Sequence, residues 1–530
     1  MAFESDQYSS DPNIKRHDFP PEIMFGVGTS AYQVEGAWNL DTKGMNIWDV
    51  FAKRYPEKIL DSSDACVAVD FYNKMKDDVQ LLKKMGVKYF RLSLSWSRIL
   101  PGGKVCLGKS SEGINFYNNL IDELQANGIE PFITLFHWDL PNALEEEYMG
   151  FLSSKIVDDF VTYAEVCFWE FGDRVKHWVT INEPYHYAYS GYAVGTFAPG
   201  RGGEHQDGDP ETEPYIVAYN LLNAHAAAYR KYQEDFKDIQ KGQVGITLDT
   251  NYYKPYGGYD NENDVKAVGY ALDFTFGWFM EPLRSGNWPK SIQEFAVTPS
   301  KHHPEGREKY LLEFTDEQKK KLINSYDFLG LNYYTSNYAQ YVEYSGPSTG
   351  YVADSHYAGS GRNYQGKYIG EPAFPDSWVY LCANELVDLL VYIKKTYKLE
   401  KSIIITENGA PQNRFKEDDK KNKIEKKYVE IRDDPFQLKY IQWHLDAIRR
   451  ANNLYPSKPL VMGYFAWSFM DSYEWRSGYT IRFGLNYVDY RNRLERYPKK
   501  SSNLVQKVSS CAKVMGAPQK KPNSCYRRRR

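Results

Sequence analysis

The sequence predicts a single (β/α)8 barrel, an α/β fold with long loop insertions at the carboxyl-terminal rim of its strands. Two observations carry this. Eight short apolar runs alternate with longer amphipathic stretches, and polar or aromatic side chains gather where those runs end. The runs are apolar at most positions, as strands buried on both faces are.

In chain order the strands are expected at Met24–Thr29, Tyr89–Ser93, Phe132–Leu135, Trp178–Ile181, Gly245–Leu248, Phe328–Asn332, Ile403–Thr406 and Val461–Trp467. Between them, Asp70–Met85, Glu112–Asn127, Ser154–Phe171, Tyr215–Phe236, Glu385–Tyr397 and Asp434–Asn452 carry apolar residues three and four apart, the spacing of an amphipathic helix. Closure at eight strand–helix units favours a barrel over an open doubly wound sheet. Tyr344–Phe374 is rich in Gly, Ser, Tyr and Pro, lacks periodicity, and reads as a long insertion after the sixth strand. Lys416–Lys427 reads as a solvated charged loop.

The expected organisation is an N-terminal extension over residues 1–18, a barrel domain over 19–510 and a basic tail over 511–530 that ends in Arg527 to Arg530. Such a tail is usually solvated and unstructured; the alternative is a receptor-read or nuclear address. A length of 530 residues suits one barrel with insertions, and a net charge of −3 supplies no global attraction to nucleic acid or a membrane surface. Met1–Pro21 lacks an apolar secretory core, no stretch is apolar enough to span a bilayer, and no Asn-x-Ser/Thr sequon occurs. The expectation is therefore an intracellular protein, cytoplasmic, or nuclear if the tail is an address.

Six cysteines show neither a disulfide framework nor zinc spacing, and ten histidines include no His-Glu-x-x-His, so neither metal nor cofactor is expected. Gly26–Ala31 matches the relaxed dinucleotide pattern G-x-G-x-x-A. However, Gly36, Trp38 and Asn39 break the helix that would have to receive a pyrophosphate. The glycines read instead as permitting a close turn beneath Tyr32–Gly36. No Gly-x-Ser-x-Gly elbow offers a serine nucleophile. The 45 Tyr and 12 Trp suit stacking on sugars and ordinary aromatic packing alike.

Two stretches carry the chemistry. Thr180-Ile181-Asn182-Glu183-Pro184 and Ile405-Thr406-Glu407-Asn408-Gly409 each place a glutamate beside an asparagine at the end of a β-branched apolar run. Taken singly, Glu183 would be a helix-start carboxylate before Pro184, and Glu407 a surface-turn acid before Asn408-Gly409. On one barrel rim they become the carboxylate pair that glycosidic bond cleavage requires. Other strand ends bring His137 and Trp138, Asn182, Asn332 and Tyr334, and Trp467 to the same rim.

With these motifs in place, the chain resembles family 1 glycoside hydrolases, and more closely the plant β-glucosidases, from about Phe19 to Pro498. The matching stretches are Phe25–Asn39, Phe90–Pro101, Thr134–Pro141, Thr180–Pro184, Phe328–Tyr334, Thr406–Gly409, and Trp467–Trp475 with Arg482–Gly484. The resemblance implies a retaining O-β-glucosidase that works through a covalent glucosyl-enzyme, with Glu183 as acid/base and Glu407 as nucleophile. It places Arg91, Asn332 and Tyr334 in support of the nucleophile, with Tyr334 also touching substrate. Gln33, His137, Asn182, Glu474 and Trp475 would surround the sugar hydroxyls, Trp467 would lie beneath the ring, and Trp378 would flank the aglycone. Retention calls for carboxyls about 5–5.5 Å apart and an acid whose pKa is raised, to roughly 6 in analogous pairs.

Glutamate at position 183, where the related thioglucosidases have glutamine, argues for an oxygen glycoside. Two departures from the family pattern, Ser472 before Tyr473-Glu474-Trp475 and Leu381-Cys382-Ala383-Asn384 after Trp378, leave the glycone residues intact and bear on aglycone choice. Phe171–Trp178 and Gly191–Gly202 are similar to the subgroup acting on monoterpenoid alkaloid glucosides; cyanogenic, phenolic and coniferyl-type glucosides are the alternatives. A transglucosidase on the same scaffold and a non-catalytic sugar-binding homologue are the competing functions. The expected partner is a small β-glucoside, with no nucleic acid and no membrane span, and a homo-oligomer is left open.

Overall fold

A computed structural model describes residues 12–203, 207–296, 311–343, 350–413 and 432–509. Eight parallel strands close into one barrel in chain order: β1 (Met24–Gly28), β2 (Tyr89–Ser93), β3 (Glu130–Phe136), β4 (His177–Asn182), β5 (Gln243–Asp249), β6 (Leu329–Asn332), β7 (Ile403–Asn408) and β8 (Val461–Trp467), which pairs back onto β1. Outside lie α1 (Phe71–Lys84), α2 (Ser111–Ala126), α3 (Lys155–Phe171), α4 (Glu213–Lys231), α5 (Asp316–Leu322), α6 (Ala383–Thr396), α7 (Pro435–Asn453) and α8 (Lys500–Ser509). Local chemistry sets their starts. The Ser110 side chain accepts from the Gly113 amide at the head of α2, and Thr315 does the same for Gln318 at α5.

The barrel floor is apolar and largely aromatic. Met24, Phe132, Val179, Phe328, Ile404 and Phe465 meet inside it, with the Phe132 ring 4.8 Å from Phe465 and 5.5 Å from Phe328. This plug leaves a packed interior, so polar groups are free to gather only at the top. The separate outer core, between strands and helices, holds the alternate residues, such as Phe90, Ile405 and Ala466.

Gly26 and Gly28 lie within β1, so they do not form the turn expected beneath Tyr32–Gly36. A Cβ at Gly26 would stand 2.5 Å from the Tyr89 carbonyl and 2.6 Å from the Phe465 ring, so β1 can close the barrel there only without a side chain. Part of the insertion read as a structureless loop is also ordered. Tyr357–Ser360 pairs antiparallel with Ser336–Tyr341, which pairs in turn with Tyr252–Pro255, and Glu371–Pro372 pairs with Tyr380–Leu381. These strands span only two to six residues, too few to show a periodicity in sequence. The Lys416–Lys427 loop and the 511–530 tail lie outside the described residues. Among the described residues no helix is long and apolar enough to cross a membrane.

Candidate active site

Strand alternation aims several side chains at the barrel axis without further help. Tyr89 packs on the floor, so Arg91, two residues on, also points inward; Phe328 and Asn332, and Phe465 and Trp467, follow the same rule. By that rule Asn182 and Glu407 should face outward, since Thr180 bonds His225 on α4 and Ile405 lies in the outer core. Irregular register re-aims both. The pairing of β4 with β5 shifts between Val179 and Asn182, and that of β7 with β6 shifts between Ile405 and Glu407. A bulge of this kind turns a side chain to the opposite face. Glu183 follows in the left-handed region, φ 46°, at the head of the short helix Pro184–Ala188. Its side chain does not cap that helix and turns to Asn332 instead. Such backbone strain in a non-glycine residue is concentrated at functional sites.

The resulting network is dense. Arg91, fully enclosed, donates through Nη1 to Glu407 Oε1 at 2.5 Å and through Nη2 to Asn182 Oδ1 at 2.6 Å. Tyr334 donates its hydroxyl to Glu407 Oε2 at 2.7 Å, so both oxygens of that carboxylate are held. Asn332 Nδ2 donates to Glu183 Oε1 at 2.6 Å, and its own oxygen accepts from Thr406 at 2.7 Å. Asn332, expected in support of the nucleophile, is the strand partner of Glu407, while its side chain bonds to Glu183. The Asn182 oxygen is taken by Arg91 and Asn332, so its amide donates to His137 Nε2 at 3.2 Å. That bond leaves the proton of neutral His137 on Nδ1, a buried donor with no protein partner. Burial first, and Arg91 second, push the His137 imidazole well below its usual range and keep it neutral.

Opposite stands Glu474, which accepts from Ser472 Oγ at 3.0 Å and from Gln33 Nε2 at 3.4 Å. Ser472, the departure from the family asparagine, therefore still supplies a donor to this carboxyl. Burial pushes Glu474 well above the usual carboxylate range. The rings of Trp467 and Trp475 lie nearly parallel to His137, with centroids 6.1 and 5.9 Å away. The Gly409 turn is buried: a Cβ there would stand 1.8 Å from the Trp467 carbonyl, which ties the end of β7 to the end of β8.

Glu183 and Glu407 differ sharply in their surroundings. Glu407 has a buried guanidinium and a phenol on its two oxygens. Glu183 is pushed well above the usual carboxylate range by burial and then by the charges of Asp249 and Glu407, with His186 and the Asn332 bond opposing. Glu183 is thus arranged to hold a proton, while the oxygens of its neighbour are both taken by donors.

Both line a cavity of about 230 Å³ with His137, Tyr334, Trp467, Glu474 and Trp475. This is smaller than the roughly 300–1,000 Å³ of clefts that enclose drug-sized ligands, so the enclosed part suits one small ring. The rest of a larger molecule would pass Trp378, 53% exposed at the mouth and 5.8 Å from the Tyr334 ring. Arg91, Asn182 and Gln33 are fully enclosed behind this lining.

Among the lining residues that were not foreseen, two act on Glu183. Asp249 ends β5 and His186 lies one turn past Glu183. His186 Nδ1 is 2.6 Å from Asp249 Oδ2 and 3.7 Å from Glu183 Oε2. Asp249 was legible by the strand-end rule that located Glu183; His186 bore no mark beyond its place after Asn182-Glu183-Pro184. Among the described residues this trio alone brings three potential metal donors together. The 2.6 Å separation is a hydrogen-bond length that uses the imidazole nitrogen on a carboxylate, so the trio is a proton network.

A rim carboxylate pair inside a (β/α)8 barrel, ringed by indoles and amides, defines a barrel glycosidase. The sequence profile of Glycosyl hydrolase family 1 matches residues 15–514, and the chain belongs to that family. It is 45% identical over 514 residues to raucaffricine-O-β-D-glucosidase of Rauvolfia serpentina, covering 92% of this chain and 90% of that one. It is 44% identical to furostanol glycoside 26-O-β-glucosidase of Hellenia speciosa, over 93% and 83% of the two chains. Rice Os3BGlu6 β-glucosidase, solved in a covalent complex with Glc, superposes with a TM-score of 0.85 at 37% identity, over 94% of this chain and 99% of that one. The protein is accordingly a β-glucosidase.

Proposed function

We propose that the protein is a retaining O-β-glucosidase in which Glu407 is the nucleophile and Glu183 the acid/base, and that its substrate is a plant specialised-metabolite glucoside, a monoterpenoid alkaloid glucoside first among them. The observation that carries the assignment is the asymmetry of the pair. Glu407, held by Arg91 and Tyr334, attacks the anomeric carbon while Glu183 gives its proton to the departing glycosidic oxygen. Glucosylation removes the charge of Glu407, one of the charges that raise Glu183. Glu183 then takes a proton from water, the water oxygen bonds to the anomeric carbon, and Glu407 leaves as a carboxylate. The Nδ1 donor of His137 and the carboxyl of Glu474 suit sugar hydroxyls, and Trp467 offers an apolar face to the ring.

The covalent Glc complex of the rice relative supports the intermediate. The Rauvolfia relative, named for raucaffricine, supports an alkaloid aglycone. The test is a panel of β-glucosides with alkaloid, phenolic and cyanogenic aglycones, with products read by mass spectrometry and the anomer by early-time NMR. β-Glucose released first, with preference for the alkaloid glucosides, is expected. An α-anomer would overturn retention, and no release from any member would overturn the enzyme assignment.

A further inference from the structure

The mechanism above uses Glu183 twice, first as an acid and then as a base, and its surroundings alone would favour only the first role. It is enclosed, and both Asp249 and Glu407 place negative charge beside it. A carboxyl so placed gives its proton to the leaving group but is slow to become the base that activates water. The countervailing group is His186. Its side chain is 42% exposed to the cavity, its Nδ1 stands 2.6 Å from Asp249 Oδ2, and the same nitrogen is 3.7 Å from Glu183 Oε2. The imidazole is therefore held at one edge by Asp249, with Glu183 on its flank.

We propose that His186 is a positioning residue for the acid/base: fixed by Asp249 as an imidazolium, it stands as a cation beside Glu183 and enables that carboxyl to act as the base of the second step. The inference rests on the retaining reading. Burial alone would strip the imidazole of its charge, yet Asp249 and then Glu183 outweigh it and hold His186 protonated up to about pH 9. Glu407 also faces the pair and adds to the charges that raise His186. The other ionisable groups there are tyrosines, among them Tyr185, whose ring lies 5.3 Å from His186 and which burial raises well above its usual range. Tyr253 is pushed by burial to about 12, and Tyr334 and Tyr351 lie well above their usual range, so none of them titrates within the working pH span. Arg91 lies on the far side, on Glu407 and Asn182.

Two steps separate the consequences. With His186 neutralised, Glu183 holds its proton more tightly. The first step, measured by kcat/KM, keeps its acid to higher pH, and the second, which needs the carboxylate, slows. The experiment compares the wild type, His186→Gln and His186→Lys on 2,4-dinitrophenyl β-glucoside, whose good leaving group makes the second step limiting, and on a phenyl glucoside.

For His186→Gln the basic limb of kcat/KM for the phenyl glucoside moves up by at least about one pH unit, the size of an opposite charge's effect at this range. At pH 7, kcat for the dinitrophenyl substrate falls about tenfold, while KM falls with it as the glucosyl-enzyme accumulates. His186→Lys, which restores a cation, returns the limb toward the wild-type position. A limb that stays in place in an active His186→Gln enzyme, or that moves equally in the Gln and Lys variants, overturns the proposal. If the wild type fails to cleave either substrate, the retaining reading itself falls.

Discussion

Glu183→Gln separates the proposed acid role from stability at one atom. Gln is isosteric and keeps the Asn332 bond, which runs to Oε1 at 2.6 Å, so the fold should be preserved. What disappears is the transferable proton. General acid catalysis contributes typically 10²–10⁴-fold, which corresponds to about 2.7–5.4 kcal/mol of barrier. The loss in kcat/KM should have that size for alkyl and phenyl glucosides and shrink to less than about tenfold for the dinitrophenyl glucoside, whose leaving group needs no proton.

The stability side carries its own sign. Glu183 is raised in the folded state, so the stability it contributes is complete below the unfolded value near 4.3 and is lost as pH rises through the folded value. Above that point Glu183 and Glu407 both bear charge. At the spacing of about 5.5 Å that retention requires and an effective dielectric of about 20, they repel by about 3 kcal/mol. Glu183→Gln should therefore unfold at the same temperature as wild type at pH 4 and at a higher one at pH 9, by calorimetry. A uniform loss of activity across leaving groups, or a variant less stable than wild type at pH 9, would refute the reasoning.

Arg91→Ala leaves Glu407 buried without its cation and should cost about 3–5 kcal/mol in urea unfolding; adding Glu407→Gln should return most of it, giving a large coupling in the double-mutant cycle. Gly409→Ala forces a methyl into the Trp467 carbonyl, which cannot yield without moving the end of β8, so a loss of about 3 kcal/mol with displaced indole fluorescence is expected. Burial raises Asp139 to about 8 against the lowering effect of backbone amides and Lys43, so its share of stability is present below about pH 4 and lost as pH rises to 8. Asp139→Asn should flatten the pH dependence of Tm over that interval and leave Tm at pH 4 little changed. Trp378→Ala should raise KM for bulky aglycones and leave Tm unaltered, because the indole is more than half exposed.

The eight strands were legible because each is a short apolar run, and their ends were correct to within a few residues. Boundaries blurred where polar residues continue a strand: β7 runs through Glu407 to Asn408, because Asn408 is buried against Tyr440 and the Tyr333 carbonyl and forms no surface turn. The short strands of the 350–374 segment were illegible because pairing partners, and not their own pattern, make them strands.

By itself the sequence determined which strands exist and which residues sit at their ends, since both follow from local apolar periodicity and chain order. Alternation even assigns Arg91, Asn332 and Trp467 to the barrel axis. Only the tertiary structure decided that Asn182 and Glu407 join them, because each is turned inward by a register shift against a neighbouring strand. The meeting of His186 with Asp249 beside Glu183 is likewise tertiary. Residues 63 positions apart become a hydrogen-bonded pair only when adjacent barrel strands bring their ends to one rim.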